Sequence, residues 1–171
     1  LMKRTTWVDQ GVYAKPYSTS YDSTETPTQG SVSGISAGAT TYYAHETGSD
    51  QVKTNGTTTA IPAQIESGDF DIDKEGSGEY MMRISRFLPD FKNQTGDAEV
   101  TIYLRDFPSD TRTASASGPL ITGPFTITTS TTQVFCRSRG RAASFKIANT
   151  GTGQTWRFGT FRADIQAGGR R

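Results

Sequence analysis

The chain has 171 residues, of which a third are hydrophobic and a fifth charged, so it can build one modest core and no more than one domain with an appendage. The formal net charge of +1 hides an asymmetry: residues 137–171 carry eight Lys and Arg against one acid, Asp164, a balance of +7, whereas residues 1–136 carry ten against sixteen, a balance of −6. A single cysteine, Cys136, excludes an internal disulfide framework, and no apolar run is long enough for a membrane-spanning helix, so this chain is not expected to insert into a membrane.

Ser, Thr and Gly are abundant and the Ala/Leu/Glu/Lys runs of helical proteins are missing, so the elements to expect are strands. Residues 1–13 hold one short strand candidate, at 6–8. Residues 18–40 are polar and almost without aliphatics; they read as an exposed, mobile loop. "TTYYAHE", 40–46, reads as a strand, and 47–59 as a turn or a long hairpin tip. In "SGDFDIDK", Phe70 and Ile72 point one way and Asp69, Asp71 and Asp73 the other, the pattern of a half-buried strand. "EYMMRISRFLPDF" puts Tyr80, Met82 and Ile84 on one face and Met81, Arg83 and Ser85 on the other, and Pro89 ends it. "AEVTIYLRDF" alternates with Val100, Ile102 and Leu104 together. Residues 109–119 read as a second flexible connection, followed by strands near 125–128 and 133–137.

"AASFKIAN" groups Ala143, Phe145 and Ile147. "GTGQ", 151–154, is a hairpin signal, and pairing across it would set Trp156 in the core beside Phe145 and Phe158. In "TWRFGTFRADIQ" the apolar parity shifts at Gly159, which predicts a β-bulge or a sharp bend. The whole predicts an all-β protein: an antiparallel β-sandwich of about seven to eight strands over 41–171, preceded by an extended N-terminal segment and flexible loop over 1–40.

Catalytic chemistry finds little support. His45 is the only histidine, no G-x-S-x-G elbow accompanies it, and one His with one Cys is poor supply for zinc. The acidic run Asp69, Asp71, Asp73, Glu75 lacks the turn of a calcium loop and the two-strand cleft of a glycosidase pair. There is no phosphate-binding loop and no dinucleotide fingerprint. No catalytic residue, metal or cofactor is expected. In "RSRGR", an extended chain would put Arg137, Arg139 and Arg141 on one face, able to track phosphates or to grip carboxylates of an adjacent subunit. The sixteen acids earlier in the chain suit the second use. Arg137, Arg139, Arg141, Arg157, Arg162, Arg170 and Arg171 are therefore candidates for a subunit interface, with Asp69, Asp71 and Asp73 as their counterparts.

Four blocks in order, "YYAHETGSD", "AIPAQIESGDFDI" with "EYMMRISRFLPDF", "AEVTIYLRDFP" with "GPFTIT", and "RSRGRAASFKIANTGTGQTWRFGTFRADIQAGGRR", resemble the C-terminal part of a family of phage virion proteins. These are the tail nozzle, or packaged-DNA stabilisation, proteins of short-tailed bacteriophages, and the resemblance spans roughly residues 40–171. It implies a large propeller-like portion upstream in full-length members, in keeping with a chain that begins on Leu1. It further implies a non-enzymatic ring component, a hexamer of like copies around the DNA exit channel. Its neighbours would be tail or adaptor proteins, with non-specific DNA contact in the channel. The place would be the virion tail, after assembly in the host cytoplasm. The alternative is a carbohydrate-binding β-sandwich of a phage adhesion device, with Tyr42, Tyr43, Tyr80 and Tyr103 as stacking candidates.

Overall fold

A computed structural model describes residues 4–9, 11, 13–22, 39–52, 57–72, 79–107, 121–149 and 151–170. The protein is all-β: the described residues form fourteen strands and no helix. They belong to two compact units, 1–59 and 60–171.

In the first unit β1 (Arg4–Val8), β2 (Tyr17–Asp22) and β3 (Ala39–Ala44) form an antiparallel sheet with β2 in the middle. The start of the segment expected to be a loop is thus a strand. β2 is "YSTSYD", whose Thr, Ser and Tyr suit a pleated surface even without aliphatics. Residues 23–38, the rest of that expected loop, lie outside the described residues. Short β4 (Asp50–Val52) pairs with β5 (Thr58–Ala60), in the stretch read as a hairpin tip.

The second unit holds two sheets of a sandwich. One has the order β10–β9–β12–β6, from β6 (Ala63–Glu66), β9 (Ala98–Arg105), β10 (Ile121–Ile127) and β12 (Ala142–Asn149). The other has the order β11–β7–β14, from β7 (Tyr80–Leu88), β11 (Val134–Gly140) and β14 (Arg162–Arg170). A two-stranded ribbon adds β8 (Phe91–Thr95) and β13 (Thr155–Phe158). β9 groups Val100, Ile102 and Leu104 on one face, as the sequence predicts, and with Ala98 they lie beside Ala143, Phe145 and Ile147 of β12, the strand it pairs with. From the facing sheet Met82, Ile84 and Phe87 complete the core.

Rings run across this core. Phe125 stands edge-on to Phe87 at 5.6 Å, Phe87 stacks on Phe161 at 5.3 Å, Phe161 lies 3.8 Å from Phe145, and Phe145 stacks on Phe70 at 5.2 Å.

Several expectations change. β7 does not alternate throughout: Met81 and Met82 are both buried, and so are Ile84 and Phe87. The register slips explain it. Against β14, β7 carries an extra residue near Ser85; against β7, β11 carries one between Phe135 and Ser138. The bulge in β7 reverses which parity faces the core, whereas β11 keeps its alternation through its own bulge. Residues 69–72 are no strand; they touch the sheet through one isolated bridge, Phe70 to Ala143, and Phe70 and Ile72 still turn toward the core. Asp73 lies outside the described residues, as do residues 109–119.

The "GTGQ" turn does not pair its flanking strands. β12 is occupied on both sides by β9 and β6, so β13 pairs with β8 instead. Trp156 accordingly meets Phe91, at 5.9 Å, and its Nε1–H donates to Asn149 Oδ1 at 3.3 Å. It is half-buried on the rim of the core. Gly159 is not a bulge within one strand but the break between two. Its N–H donates to Asp90 O (2.8 Å) and the Thr160 N–H to Asp90 Oδ2 (3.1 Å). A Cβ at residue 159 would run into that carboxylate, with Cγ only 2.8 Å away.

Two outcomes follow for urea denaturation. Phe87→Ala should cost about 3–5 kcal/mol, because the side chain is fully enclosed. Gly159→Ala should cost about 1–3 kcal/mol, and most of that loss should vanish in an Asp90→Ala background, where the obstruction is gone. Additive losses in the double variant would place the strain elsewhere.

Candidate functional site

The bulged sheet turns its second face outward. On β11 the burial alternates: Phe135, Arg137 and Arg139 are exposed while Cys136, Ser138 and Gly140 are buried. Phe135 stands 69% exposed. On β7 the residue opposite Arg139 is Arg83, also exposed. Arg83, Arg137 and Arg139 together line an open groove of about 390 Å³ with Ser138 and Gly168. It runs on into a second of about 600 Å³, where Arg83 and Arg137 are joined by Ser85, Thr122, Phe125, Phe135 and Cys136. Among the described residues none of these three guanidiniums has an ion pair or a side-chain hydrogen bond. Like charges facing each other across a strand pair are unfavourable, so this arrangement raises the energy of the isolated chain slightly.

One step along the sheet the charge is matched. Arg86 Nε donates to Asp164 Oδ2 at 2.7 Å and Arg86 Nη1 to Gln133 Oε1 at 3.2 Å. Both partners of the ion pair are about half-exposed, so it contributes ~0–1 kcal/mol.

The remaining candidates are dispersed. Arg141 does not share the face of Arg137 and Arg139. The chain leaves the sheet at Gly140, and the Arg141 N–H already donates to Arg105 O at 2.8 Å in the other sheet. A Cβ at Gly140 would sit 3.0 Å from Leu104 Cβ, so this corner is tight. Arg157 is exposed on β13 opposite Lys92, and Arg162 opens β14 opposite Leu88. Arg170 closes β14 opposite Tyr80, and Arg171 lies outside the described residues. Asp69 binds Arg105 Nη1 at 3.0 Å, and Asp71 is half-buried. Of the stacking candidates, Tyr80 and Tyr103 belong to different sheets.

Sequence reading missed Arg83 and Phe135. Arg83 falls on the polar face of β7, but nothing in the order of residues says that Arg139 will stand opposite it. The bulge at 136–137 decides that.

His45, in the first unit, directly follows β3, and its N–H donates to Pro16 O at 2.9 Å. Ser18, Tyr43 and Trp7 are neighbours across the three strands. Ser18 Oγ lies 2.6 Å from His45 Nε2, and the Trp7 ring 4.4 Å from the imidazole. Ser18 is only 2% exposed, so its hydroxyl is enclosed beside the imidazole. Among the described residues no group of three His, Cys, Asp or Glu side chains could hold a metal ion.

No family model matches this chain, and no curated protein matches it.

Cys136 yields a prediction. Its thiol is buried and donates to Ile84 O at 3.6 Å. Burial pushes its pKa above the ordinary 9.0, with the Ser138 hydroxyl pulling weakly the other way. The neutral thiol is therefore favoured in the folded state. As pH rises through 9 the unfolded chain ionises first, and the stability contributed by burying the neutral thiol is lost. Thiol-reagent kinetics should be much slower for the native protein than in denaturant, and Cys136→Ser should flatten the alkaline limb of the stability curve. Equal labelling rates would show the thiol to be accessible.

Proposed function

We propose that this chain is a non-catalytic structural component of a bacteriophage tail, in the nozzle or head-to-tail region. It assembles with copies of itself, six by the family resemblance, into a ring around the DNA exit channel. There it stabilises packaged DNA and takes part in ejection, held between neighbouring tail or adaptor proteins. Its place is the virion, following assembly in the host cytoplasm.

The observation that carries the reading is the outward arginine face, with Arg83, Arg137 and Arg139 unpaired among the described residues. The all-β fold and the sequence resemblance support it. A channel wall that gripped phosphates at many points would hold its cargo, since each contact adds salt-dependent retention. A subunit contact has the opposite need, and a guanidinium fork facing a carboxylate supplies both geometry and energy. Carboxylates on Asp69, Asp71 and Asp73 of the next copy are the counterparts.

Native mass spectrometry and electron microscopy test this. The wild-type protein should form a closed ring. Arg139→Ala should weaken assembly about tenfold without changing the melting temperature of the monomer, and Asp71→Arg should weaken it by like-charge repulsion. A protein that stays monomeric at high concentration, or variants that keep intact rings while losing retention of non-specific duplex DNA, would overturn the assignment of the arginines.

A further inference from the structure

Two terminal strands of the second unit, β11 and β6, bear on how copies could meet. On one flank, β11 ends its sheet and packs beside β10 and β9 of the other sheet. On the other flank, β6 ends the four-stranded sheet, separated from β10 by β9 and β12. β11 and β6 therefore lie on opposite sides of the sandwich. Terminal strands invite pairing and are normally blunted. Here both carry large exposed apolar side chains instead. All four residues of β6 are exposed, with Ile65 at 48% and Ile61, just before the strand, at 50%. β11 presents Phe135 at 69%.

The charges of the two flanks are complementary. β11 and its neighbour offer Arg83, Arg137 and Arg139. β6 ends on Glu66, and the chain continues through Asp69 and Asp71. Glu66 lies opposite Lys146 and Asp69 holds Arg105 within the chain. A carboxylate has two oxygens that accept several hydrogen bonds, so these contacts leave room for a guanidinium from outside.

We infer that the β6 flank of one copy docks on the β11 flank of the next. Ile61 and Ile65 lie against Phe135, and Glu66, Asp69 and Asp71 face the groove of Arg83, Arg137 and Arg139. The partner is a second copy of this chain. The inference rests on the self-assembly reading above and names the surfaces that carry it. Because two different patches meet, the contact is head-to-tail, and its repetition closes a ring when the rotation per copy divides the circle.

Head-to-tail contact has a test that a two-fold contact fails. One variant, Phe135→Asp with Arg139→Glu, spoils the β11 flank. Another, Ile61→Asp with Ile65→Asp, spoils the β6 flank. All four positions are exposed, so the folded monomer should persist; circular dichroism checks this, and Arg137→Glu and Glu66→Lys serve if either double variant misfolds. Each variant alone should be monomeric by native mass spectrometry. Their equimolar mixture should give a one-to-one dimer and nothing larger, joined through the one flank each has kept. A mixture that stays monomeric, or single variants that assemble like wild type, would sink the assignment while wild-type assembly leaves the proposed function standing. A monomeric wild type would sink both. Intact assembly with lost retention of duplex DNA in the arginine variant would make the β11 flank a nucleic-acid surface instead.

Discussion

The sandwich depends on one side chain placed between its two sheets. Phe161 lies against Phe87 of the bulged sheet and Phe145 of the regular one, and through them it reaches Phe125 and Phe70. Phe161 belongs to no strand. It reaches the core because the chain breaks between β13 and β14, and the Asp90 carbonyl and carboxylate hold that break by accepting from the N–H groups of Gly159 and Thr160. Without the break, β13 would run straight on and its parity would turn Phe161 away from the core. With it, β13 is released to pair with β8, and β14 to pair with β7. One half-buried ring and one carboxylate thus set the partners of two strands.

The regular half of the fold is legible in the sequence and the bulged half is not. β9 and β12 can be read residue by residue, because an uninterrupted period of two assigns each side chain to a face. β7 cannot, since the extra residue near Ser85 carries no composition signal of its own. "GTGQ" correctly marks a turn between β12 and β13, yet a turn signal does not name the strand's partner. With both edges of β12 already occupied, the hairpin reading had no place to form. Gly159 was legible as an irregularity because the apolar parity changes there. The nature of the irregularity was fixed by Asp90, some seventy positions away. The arginine face is intermediate. Arg137 and Arg139 follow from alternation in "RSRGR", whereas Arg141 leaves the row because Gly140 is a sheet-to-sheet corner, and Arg83 joins it from a distant strand.

The two sheets divide their tasks. The regular sheet supplies most of the enclosed aliphatic residues, from β9 and β12. The bulged sheet gives the core Met82, Ile84 and Phe87 and uses its other face for charge. Bulges raise local twist and re-aim side chains, so they suit a surface that presents groups outward. In this sheet there is one beside Ser85, one at 136–137 and one at Gly168 and Gly169, where φ at Gly169 is +99°; the other sheet has one as well, in β10 between Thr122 and Phe125, away from the pairing of β9 with β12. Gly168 also lines the arginine groove, and a side chain there would begin to fill it.

The facing of Arg83 and Arg139 is the feature on which the proposed docking rests. A monomer selected only for stability would place an acid opposite one of them, as it does one step along, where Asp164 faces Arg86. The same sheet therefore contains both the matched and the unmatched arrangement, three residues apart along β7. A carboxylate arriving between Arg83 and Arg139 converts one cross-strand repulsion into two attractions, so the change in energy on docking exceeds what either guanidinium would give alone. Repulsion held in the free chain is released only by an anion of the right position. On the proposed docking, the site would favour a carboxylate held on a rigid neighbouring surface over a solvated ion, which would have to give up its own hydration and freedom to sit there.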